Sequence, residues 1–284
     1  MIDVVAARVW PAGVESVERL GGGITNHNFK VAVGGEQYVL RIGGADTSLL
    51  GIDRRVEHAA SLVASELGIG PDVFAFVEPE GHLVTRFIGG AAGEVAVREA
   101  AELLRRLHCG PPIPGRFDSF RIVEEYAARA RLRGVAVPPA YERAHTLSTA
   151  IEMRLGPRPL TPCHNDLLAA NFIAAGRRLW IVDWEYAGMG DPAFDLANFA
   201  VNNGLDEPGD GELLEAYGGG DLGVHVLMRF MSDFREAMWG VLQQALSKLE
   251  FDFAAYAEEH FERLERTAGE RRFRAALVQT GCHG

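Results

Sequence analysis

Residues 164–171 have the sequence HNDLLAAN, and residues 183–185 have the sequence DWE. Transfer of a phosphoryl group from ATP needs a carboxylate that accepts the proton of the attacking hydroxyl. It also needs oxygen ligands that hold Mg²⁺ against the phosphates. An aspartate, an asparagine five residues later and a second aspartate after a short hairpin are typical of such sites. The spacing therefore predicts Asp166 as the catalytic base, and Asn171 and Asp183 as the metal ligands.

Two short apolar segments separate these motifs. Residues 172–174 (FIA) and 179–182 (LWIV) are strand candidates, and AGRR at 175–178 is the turn between them. This hairpin would bring Asn171 and Asp183 side by side. Aspartate and asparagine are also common in turns, so each short motif taken alone is more often explained by loop structure. The combination of all of them at this spacing favours the phosphoryl-transfer site.

A glycine-rich stretch, GGGITNHN at residues 21–28, lies between two strand candidates at 14–20 and 29–33. Glycines allow backbone N–H groups to approach phosphate oxygens closely, and the short polar side chains that follow add further contacts. A flexible turn is the alternative interpretation. We predict that four residues of this loop bind the nucleotide: Gly22, Gly23, Thr25 and Asn26.

The next strand candidate, QYVLRI at residues 37–42, carries one cation, Arg41. In kinases, a lysine at this position pairs with the α- and β-phosphates and with a helix glutamate. A guanidinium can bind phosphate through two hydrogen bonds, so we expect Arg41 to take this role. The helix predicted at residues 53–67 offers Glu57 as its partner. Solvated surface charges are the alternative for both residues.

The chain is rich in strand candidates first and in helix candidates later. Further strands are predicted at 73–77 and 82–87, and helices at 94–108, 119–133, 140–155, 192–201, 221–249 and 253–266. A Gly- and Asp-rich loop is predicted up to residue 211. The sequence leaves open whether the segment from residue 267 is a helix or a tail. A length of 284 residues suits two lobes that share a cleft. We therefore predict an α+β fold with a nucleotide-binding lobe at residues 1–88 and a mainly helical catalytic and substrate-binding lobe at residues 89–284.

The charge balance bears on the partners. The sequence has 28 lysines and arginines against 39 aspartates and glutamates, a formal net charge of −11. Nucleic acids and anionic membranes need a basic surface, so neither is expected as a partner, whereas an acidic cleft attracts a cationic substrate. The three cysteines lack metal-site spacing, and no segment has the pattern of a leader or a membrane span. A cytoplasmic protein is therefore expected.

Further motifs accompany these residues: GGITN at 22–26, YVLRI at 38–42, DWEYAG at 183–188, GDPAFDLAN at 190–198, WGVLQ at 239–243 and LEFDFAAYA at 249–257. Together with HNDLLAAN they resemble the choline/ethanolamine kinases, in particular the bacterial choline-kinase branch of the aminoglycoside-phosphotransferase-like kinases. The resemblance extends over roughly residues 18–265. It implies a protein-kinase-like fold with two lobes, the use of ATP and Mg²⁺, and a small phosphorylated alcohol as the product.

The substrate of such an enzyme can be considered from its chemistry. A quaternary ammonium group has no N–H to donate, so proteins recognise it with aromatic faces and carboxylates. Core packing is the alternative explanation for each aromatic candidate, and strand alternation places Trp184 in the core. Four residues of the C-terminal half are candidates for substrate binding: Glu185, Tyr186, Trp239 and Tyr256.

The sequence also departs from the pattern of choline kinases. Asn202 and Asn203 stand where an acidic and an aromatic residue are common, and Glu236 lies where a second tryptophan is common. A primary amine such as ethanolamine would favour acidic contacts from Glu185 and Glu236 over a full aromatic cage. We expect an ATP- and Mg²⁺-dependent kinase for a small amino alcohol. The alternatives are a kinase for another hydroxyl compound (an aminoglycoside, a sugar or homoserine) and an inactive nucleotide-binding protein. Whether the chain forms a homodimer stays open.

Overall fold

The computed structural model describes residues 2–21, 26–44, 47–93 and 95–278. In chain order the elements are α1 (Ile2–Val9), β1 (Ser16–Arg19), β2 (Asn26–Val33), β3 (Glu36–Gly43), α2 (Arg54–Glu66), β4 (Val73–Val77), β5 (His82–Arg86), β6 (Ala91–Ala92), α3 (Val97–His108), α4 (Ser119–Leu132), α5 (Ala140–Leu155), β7 (Thr161–Cys163), β8 (Phe172–Ala175), β9 (Arg178–Ile181), β10 (Gly188–Gly190), α6 (Pro192–Asn202), α7 (Glu207–Tyr217), α8 (Leu222–Leu246), α9 (Phe253–Gly269) and α10 (Arg271–Val278). A 3₁₀ turn (Thr47–Leu50) lies between β3 and α2.

The N-terminal lobe is an antiparallel sheet of five strands in the order β1-β2-β3-β5-β4. Helix α1 packs against this sheet through Val5 and Trp10, which share a core with Val31 and Leu40. Helix α2 belongs to a different core, which it shares with C-terminal helices. The sheet is therefore joined to the rest of the molecule through α2, and the cleft lies beside that helix.

Helix α8 is the centre of the C-terminal lobe. Its residues from Val226 to Gln243 are buried almost without interruption, and it packs against α4, α6 and α9. A helix that is apolar on every side is typical of the middle of a core. Helix α8, however, also carries buried charges, among them Asp233, Arg235 and Glu236. Charged side chains are rarely buried without a partner, so this stretch requires a functional or structural explanation.

The hairpin predicted after the HNDLLAAN motif is present. Strands β8 and β9 pair with Phe172 opposite Ile181 and Ala175 opposite Arg178, so the turn contains only Gly176 and Arg177. Gly176 has a φ of 63°, in the left-handed region that a tight hairpin turn requires. Strand β6 pairs with β8, and β7 pairs with β10. These short pairings hold the segments before and after the hairpin next to each other.

The expected fold is confirmed: an antiparallel sheet comes first, a mainly helical part follows, and the whole is a protein-kinase-like α+β fold.

The loop predicted up to Gly211 was wrong in part, because α7 begins at Glu207. Asp206 caps this helix by accepting a hydrogen bond from the Gly209 N–H, and Pro208 suits a first turn. The cap thus outweighed the helix-breaking tendency of the glycines. The segment from residue 267, for which the sequence left helix or tail open, forms the end of α9 and helix α10 as far as Val278. Residues 22–25 of the glycine-rich loop lie outside the described residues.

Asp210 ties three helices of the C-terminal lobe together. Its carboxylate, on α7, accepts hydrogen bonds from His225 Nε2 (3.0 Å) and Arg229 Nη1 (2.5 Å) of α8 and from Arg272 Nη1 (2.9 Å) of α10. Burial raises the pKa of Asp210, but the hydrogen bond from His225 and the charge of Arg229 outweigh it and hold that pKa below its usual value. The carboxylate is therefore a buried, ionised anchor.

We predict that Asp210→Ala lowers the free energy of unfolding by about 3 kcal/mol, because it leaves buried cations without their partner. Urea denaturation measures the change. Glu212→Ala is the matched control, since Glu212 lies on the same helix but pairs with Arg98 at an exposed position. The control should change stability by less than about 0.5 kcal/mol. Equal effects of the two substitutions would contradict the anchoring role.

Candidate active site

The loop that carries Asp166 is positioned by α6. Asp195, which is fully buried in this helix, accepts hydrogen bonds from the backbone N–H groups of His164 (2.8 Å) and Asn165 (2.6 Å). Asn165 has a φ of 65°, a left-handed conformation that is uncommon outside glycine. The two hydrogen bonds to Asp195 hold this strained turn. They therefore orient the loop from which Asp166 projects.

A second residue of α6 extends the same contact. Asn198 Oδ1 accepts a hydrogen bond from the Leu167 N–H (2.6 Å), while Asn198 Nδ2 donates to Ser232 Oγ (3.0 Å) of α8. Asp195 and Asn198 were not predicted as site residues. Their spacing of three positions in GDPAFDLAN, which places both on one face of a helix, was the available signal.

The three residues predicted as base and metal ligands lie together. Asn171 Nδ2 donates to the Asp166 carbonyl (2.8 Å), an orientation that leaves its amide oxygen as the remaining ligand atom. Asp183 follows β9 with a φ of 68°, again in the left-handed region. Strain of this kind persists only where the surroundings enforce it, and it clusters at functional sites. The Asp183 carboxylate accepts a hydrogen bond from Arg41 Nη1 at 2.6 Å.

A chain of buried charges joins the two lobes at this point. Arg41 of β3 pairs with Asp183 and with Glu57 of α2. Glu57 in turn accepts a hydrogen bond from Arg54 Nη1 (2.7 Å), and Arg54 Nη1 lies 3.3 Å from Glu185 Oε2. The chain therefore begins and ends in the DWE motif and passes through the N-terminal lobe. The predicted pairing of Arg41 with Glu57 is present in the structure.

Asn26 and Glu185 take part in this chain. Asn26 donates from Nδ2 to Glu185 Oε2 (2.8 Å) and accepts a hydrogen bond from Arg54 Nη2 at Oδ1 (2.8 Å). Asn26 was predicted to contact the nucleotide and Glu185 to contact the substrate. The structure places both in the contact between the lobes, and Arg54, which sequence reasoning missed, is their common partner. The other predicted loop residues, Gly22, Gly23 and Thr25, lie outside the described residues.

A cavity of about 390 Å³ opens between the lobes next to these charges. One end is apolar, and the other is charged. Such a cavity matches a nucleotide, whose base is flat and largely apolar and whose phosphates are anionic. The lining residues that matter for this match are Val39, Leu83 and Ile173 at the apolar part, and Arg41, Asn171 and Asp183 at the polar part.

A second cavity of about 550 Å³ reaches Glu185 and Tyr186 beside the start of α4. Although it is larger, its lining among the described residues contains neither Asp166 nor Asp183. The smaller cavity is lined by Asp183 and Asn171, and Asn171 is hydrogen-bonded to the Asp166 carbonyl, so this cavity is the better candidate for the phosphoryl-transfer site.

On the other side of Asp166 lies a cluster of aromatic and charged side chains. Trp239 Nε1 donates to Tyr186 Oη (3.0 Å), and Tyr256 Oη donates to Glu236 Oε2 (2.9 Å). Trp239 and Tyr256 also meet edge to face, with ring centroids 5.7 Å apart. The structure thus brings together three of the four predicted substrate residues, while Glu185 lies in the contact between the lobes. Trp184 is buried, as expected.

Arg235 connects this cluster to Asp166 and was missed by sequence reasoning. Its Nη1 donates to Asp166 Oδ1 (2.9 Å) and to Glu236 Oε1 (2.5 Å), and its guanidinium carbon lies 4.4 Å from the centroid of the Tyr186 ring. The signal available in the sequence was an adjacent arginine and glutamate within a helix whose residues are mostly apolar.

The electrostatic surroundings change the acidity of Asp166. Burial raises its pKa to about 7; Arg235 opposes this rise, and the charges of Glu236 and Asp183 add to it. Burial also acts on Glu236, but the charges of Arg235 and His260 and the hydrogen bond from Tyr256 together leave its pKa lowered. A carboxylate that titrates near neutral pH is well suited to accept a proton from a substrate hydroxyl.

Comparison with known proteins agrees with this geometry. Residues 16–239 match the phosphotransferase enzyme family (APH). The chain belongs to this family. Protein LicA from Haemophilus influenzae, one curated relative, is 28% identical over 214 residues, which cover 69% of this chain and 61% of the length of that protein.

Solved structures of family members have the same fold. A choline/ethanolamine kinase family protein from Mesorhizobium loti is 32% identical, with a TM-score of 0.82 and 98% of each chain covered. LicA in complex with AMP is 21% identical, with a TM-score of 0.78, and 94% of this chain and 97% of that chain are covered. The likeness to the Mesorhizobium loti protein confirms the resemblance to choline/ethanolamine kinases. Together with the family match it confirms the expected class, ATP-dependent small-molecule kinases, while the likeness to LicA shows the same fold. No helix in the described part of the chain is long and apolar enough to span a membrane.

We predict that kcat/KM for the acceptor, measured at saturating ATP and Mg²⁺, rises with pH through about 7, because Asp166 must be ionised to accept the hydroxyl proton. In Glu236→Gln the rise should move to lower pH, since the neighbouring negative charge is removed. A rise centred near pH 4 in the unmodified protein would contradict the raised pKa of Asp166.

We also predict that Glu57→Ala lowers kcat/KM for ATP by about 30-fold or more, because losing one partner of a buried charge pair costs about 2 kcal/mol or more. Steady-state kinetics at varied ATP measures this. Glu66→Ala, an exposed position on the same helix, is the control and should leave the kinetics unchanged. Unchanged kinetics in Glu57→Ala would show that Arg41 needs no partner.

Proposed function

We propose that this protein transfers the γ-phosphoryl group of ATP to the hydroxyl group of a small amino alcohol of the choline or ethanolamine type. The observation that carries the proposal is the convergence of Asp166, Asn171 and Asp183. Asn171 and Asp183 line the cavity together with Arg41, and Asn171 donates a hydrogen bond to the Asp166 carbonyl. Phosphoryl transfer depends on positioning and on electrostatic stabilisation of the transferred group, and these four residues offer both.

The cavity between the lobes is the proposed site of ATP. Val39, Leu83 and Ile173 would enclose the adenine, and Arg41 would contact the α- and β-phosphates. Arg41 presents its N–H groups in a fixed plane, which suits phosphate oxygens. Its pairing with Glu57 and Asp183 fixes the orientation of that plane.

The residues present fit a magnesium ion. Mg²⁺ prefers oxygen ligands, usually one or two carboxylates together with substrate phosphates. Asp183 gives one carboxylate oxygen to Arg41 and keeps the other, and Asn171 keeps its amide oxygen. We therefore propose that Asp183 and Asn171 hold Mg²⁺. The bound ion would neutralise negative charge that develops on the phosphates.

Asp166 is the proposed acceptor of the proton. The substrate oxygen forms its new bond to the γ-phosphorus, the bond between that phosphorus and the β-bridging oxygen breaks, and ADP leaves. The hydroxyl proton passes to the Asp166 carboxylate. Arg235 and the backbone contacts to α6 hold this carboxylate in place.

The acceptor is proposed to be cationic. Asp166 and Glu236 are buried carboxylates on the acceptor side. Tyr256 donates a hydrogen bond to Glu236, and Trp239 donates one to Tyr186. Carboxylates and aromatic rings are the groups that bind small ammonium compounds. The formal net charge of −11 would also attract a cationic substrate by long-range electrostatics.

The proposal is tested by measuring ADP production with ATP and Mg²⁺ over a panel of amino alcohols, aminoglycosides, sugars and hydroxy amino acids. We expect turnover with an amino alcohol and a fall in kcat of about 10²-fold or more in Asp166→Asn. Asp183→Asn should lose the Mg²⁺-dependent part of the thermal stabilisation by ATP. Asp206→Asn, which keeps the cap of α7 and lies outside both cavities, is the control and should behave as the unmodified protein.

Activity that survives in Asp166→Asn would remove the base from the proposal. Turnover of aminoglycosides or sugars alone would move the function to another member class of the same family. Absence of any turnover, together with ATP binding that does not depend on Mg²⁺, would favour an inactive nucleotide-binding protein.

A further inference from the structure

A cation of the protein itself occupies the acceptor side of the site. The guanidinium of Arg235 lies over the ring of Tyr186, with its carbon 4.4 Å from the ring centroid, and its Nη1 donates to both Asp166 and Glu236. The side chain is 1% exposed. Arg235 therefore lies between an aromatic face and two carboxylates.

This position is the one that a quaternary ammonium group would need. Such a group is bound by the face of an aromatic ring and by nearby carboxylates, and it donates no hydrogen bonds. Within the described residues, the Tyr186 face next to Asp166 is covered by Arg235. Trp239 meets the ring of Tyr256 at a steep angle and donates its Nε1–H to Tyr186. Tyr186 is thus already in contact with the guanidinium and with Trp239.

The net charge of Asp166, Glu236 and Arg235 also favours an acceptor with N–H groups. Asp166 and Glu236 contribute two negative charges and Arg235 one positive charge, so the three together carry −1 when both carboxylates are ionised. One further positive charge can be accommodated beside them. With the Tyr186 face covered by Arg235, that cation is best held by hydrogen bonds from its own N–H groups to carboxylate oxygens. A primary ammonium can donate such bonds, and a trimethylammonium cannot.

The stability of the fold does not explain why position 235 is an arginine. Its Nε and Nη2 are buried and have no hydrogen-bond partner in the described part of the chain. Buried donors without a partner cost free energy, and a buried ion pair is often no more stable than well-packed apolar residues. Phe234 and Ala237 beside it are apolar, whereas Asp233 and Glu236 are charged, so Arg235 belongs to a buried charged stretch of α8. A buried arginine at this cost, paired with Asp166, indicates a role in the chemistry of the site.

We propose that Arg235 determines the specificity of this enzyme: its guanidinium is the resident cation of the acceptor site and excludes alcohols that carry a quaternary ammonium group. The acceptors that fit are alcohols whose amine has N–H groups to donate. This inference rests on the proposed function, because it takes Asp166 as the base that the acceptor hydroxyl approaches.

The test compares ethanolamine with choline, which differ only in the three N-methyl groups. We expect the unmodified protein to phosphorylate ethanolamine with the higher kcat/KM. Arg235→Ala leaves a space between Tyr186 and the two carboxylates, into which a trimethylammonium fits. Because a desolvated cation–π contact is worth about 2 kcal/mol, the ratio of kcat/KM for choline to that for ethanolamine should rise by about 30-fold in this variant.

Arg235→Lys is the matched control. It keeps a cation in the same place, so the preference for ethanolamine should remain. Arg235→Met, which fills the space with an apolar chain and has no charge, replaces the alanine variant if the latter fails to fold by circular dichroism. In Arg235→Met the kcat/KM ratio should also move towards choline, because the competing cation is absent.

A binding measurement that needs no turnover completes the test. Tetramethylammonium should raise the melting temperature of Arg235→Ala and leave that of the unmodified protein unchanged. Stabilisation of the unmodified protein by tetramethylammonium, or a choline preference in it, would overturn the inference. An unchanged ratio in both Arg235→Ala and Arg235→Met would also overturn it. If no amino alcohol is phosphorylated by any form, the proposed function fails instead, and the tetramethylammonium result still decides whether Arg235 occupies a cation site.

Discussion

The arrangement of this protein depends on one buried chain of charges that runs from Asp183 through Arg41, Glu57 and Arg54 to Glu185. Both ends belong to the C-terminal lobe and the middle belongs to the N-terminal lobe, so the chain holds the lobes in one relative orientation. Removing one member leaves its neighbours as buried charges without partners, which is a large cost in a low-dielectric environment. The width of the cleft, and with it the position of Arg41 relative to Asp183, follows from these pairs rather than from apolar packing alone.

The carboxylates that we propose as the base and as a metal ligand share a further feature, because each is paired with a guanidinium. Asp183 pairs with Arg41 on the nucleotide side, and Asp166 pairs with Arg235 on the acceptor side. On the nucleotide side, the arginine adds positive charge where anionic phosphates bind. On the acceptor side, Arg235 neutralises part of the negative charge of Asp166 and Glu236, which would otherwise attract a cationic substrate. The same type of ion pair thus favours an anion at one end of the site and restricts the cation at the other.

Local signals predicted much of the fold. Helix α5 was predicted at 140–155 and spans Ala140–Leu155, and the hairpin after Asn171 was predicted within one residue at each strand end. The loop before Gly211 was wrong because the cap at Asp206 starts a helix despite two glycines. Strands β7 and β10 could not be predicted: each has only three residues, and they pair over a long sequence separation. Short pairings of this kind depend on tertiary contacts and leave no periodic pattern.

By itself, the sequence determined the order of the motifs, the spacing of Asp166, Asn171 and Asp183, and the family to which the chain belongs. These properties are local, because the proposed base and the proposed metal ligands come from one loop and one hairpin. Only the tertiary structure decided what surrounds them. Arg235 lies 69 positions from Asp166, and Glu185 lies 159 positions from Asn26, so no local pattern relates these pairs. Packing of α8 against the catalytic loop, and of the sheet against the DWE motif, brings these distant charges into contact, because a buried charge must find a partner wherever the fold places one.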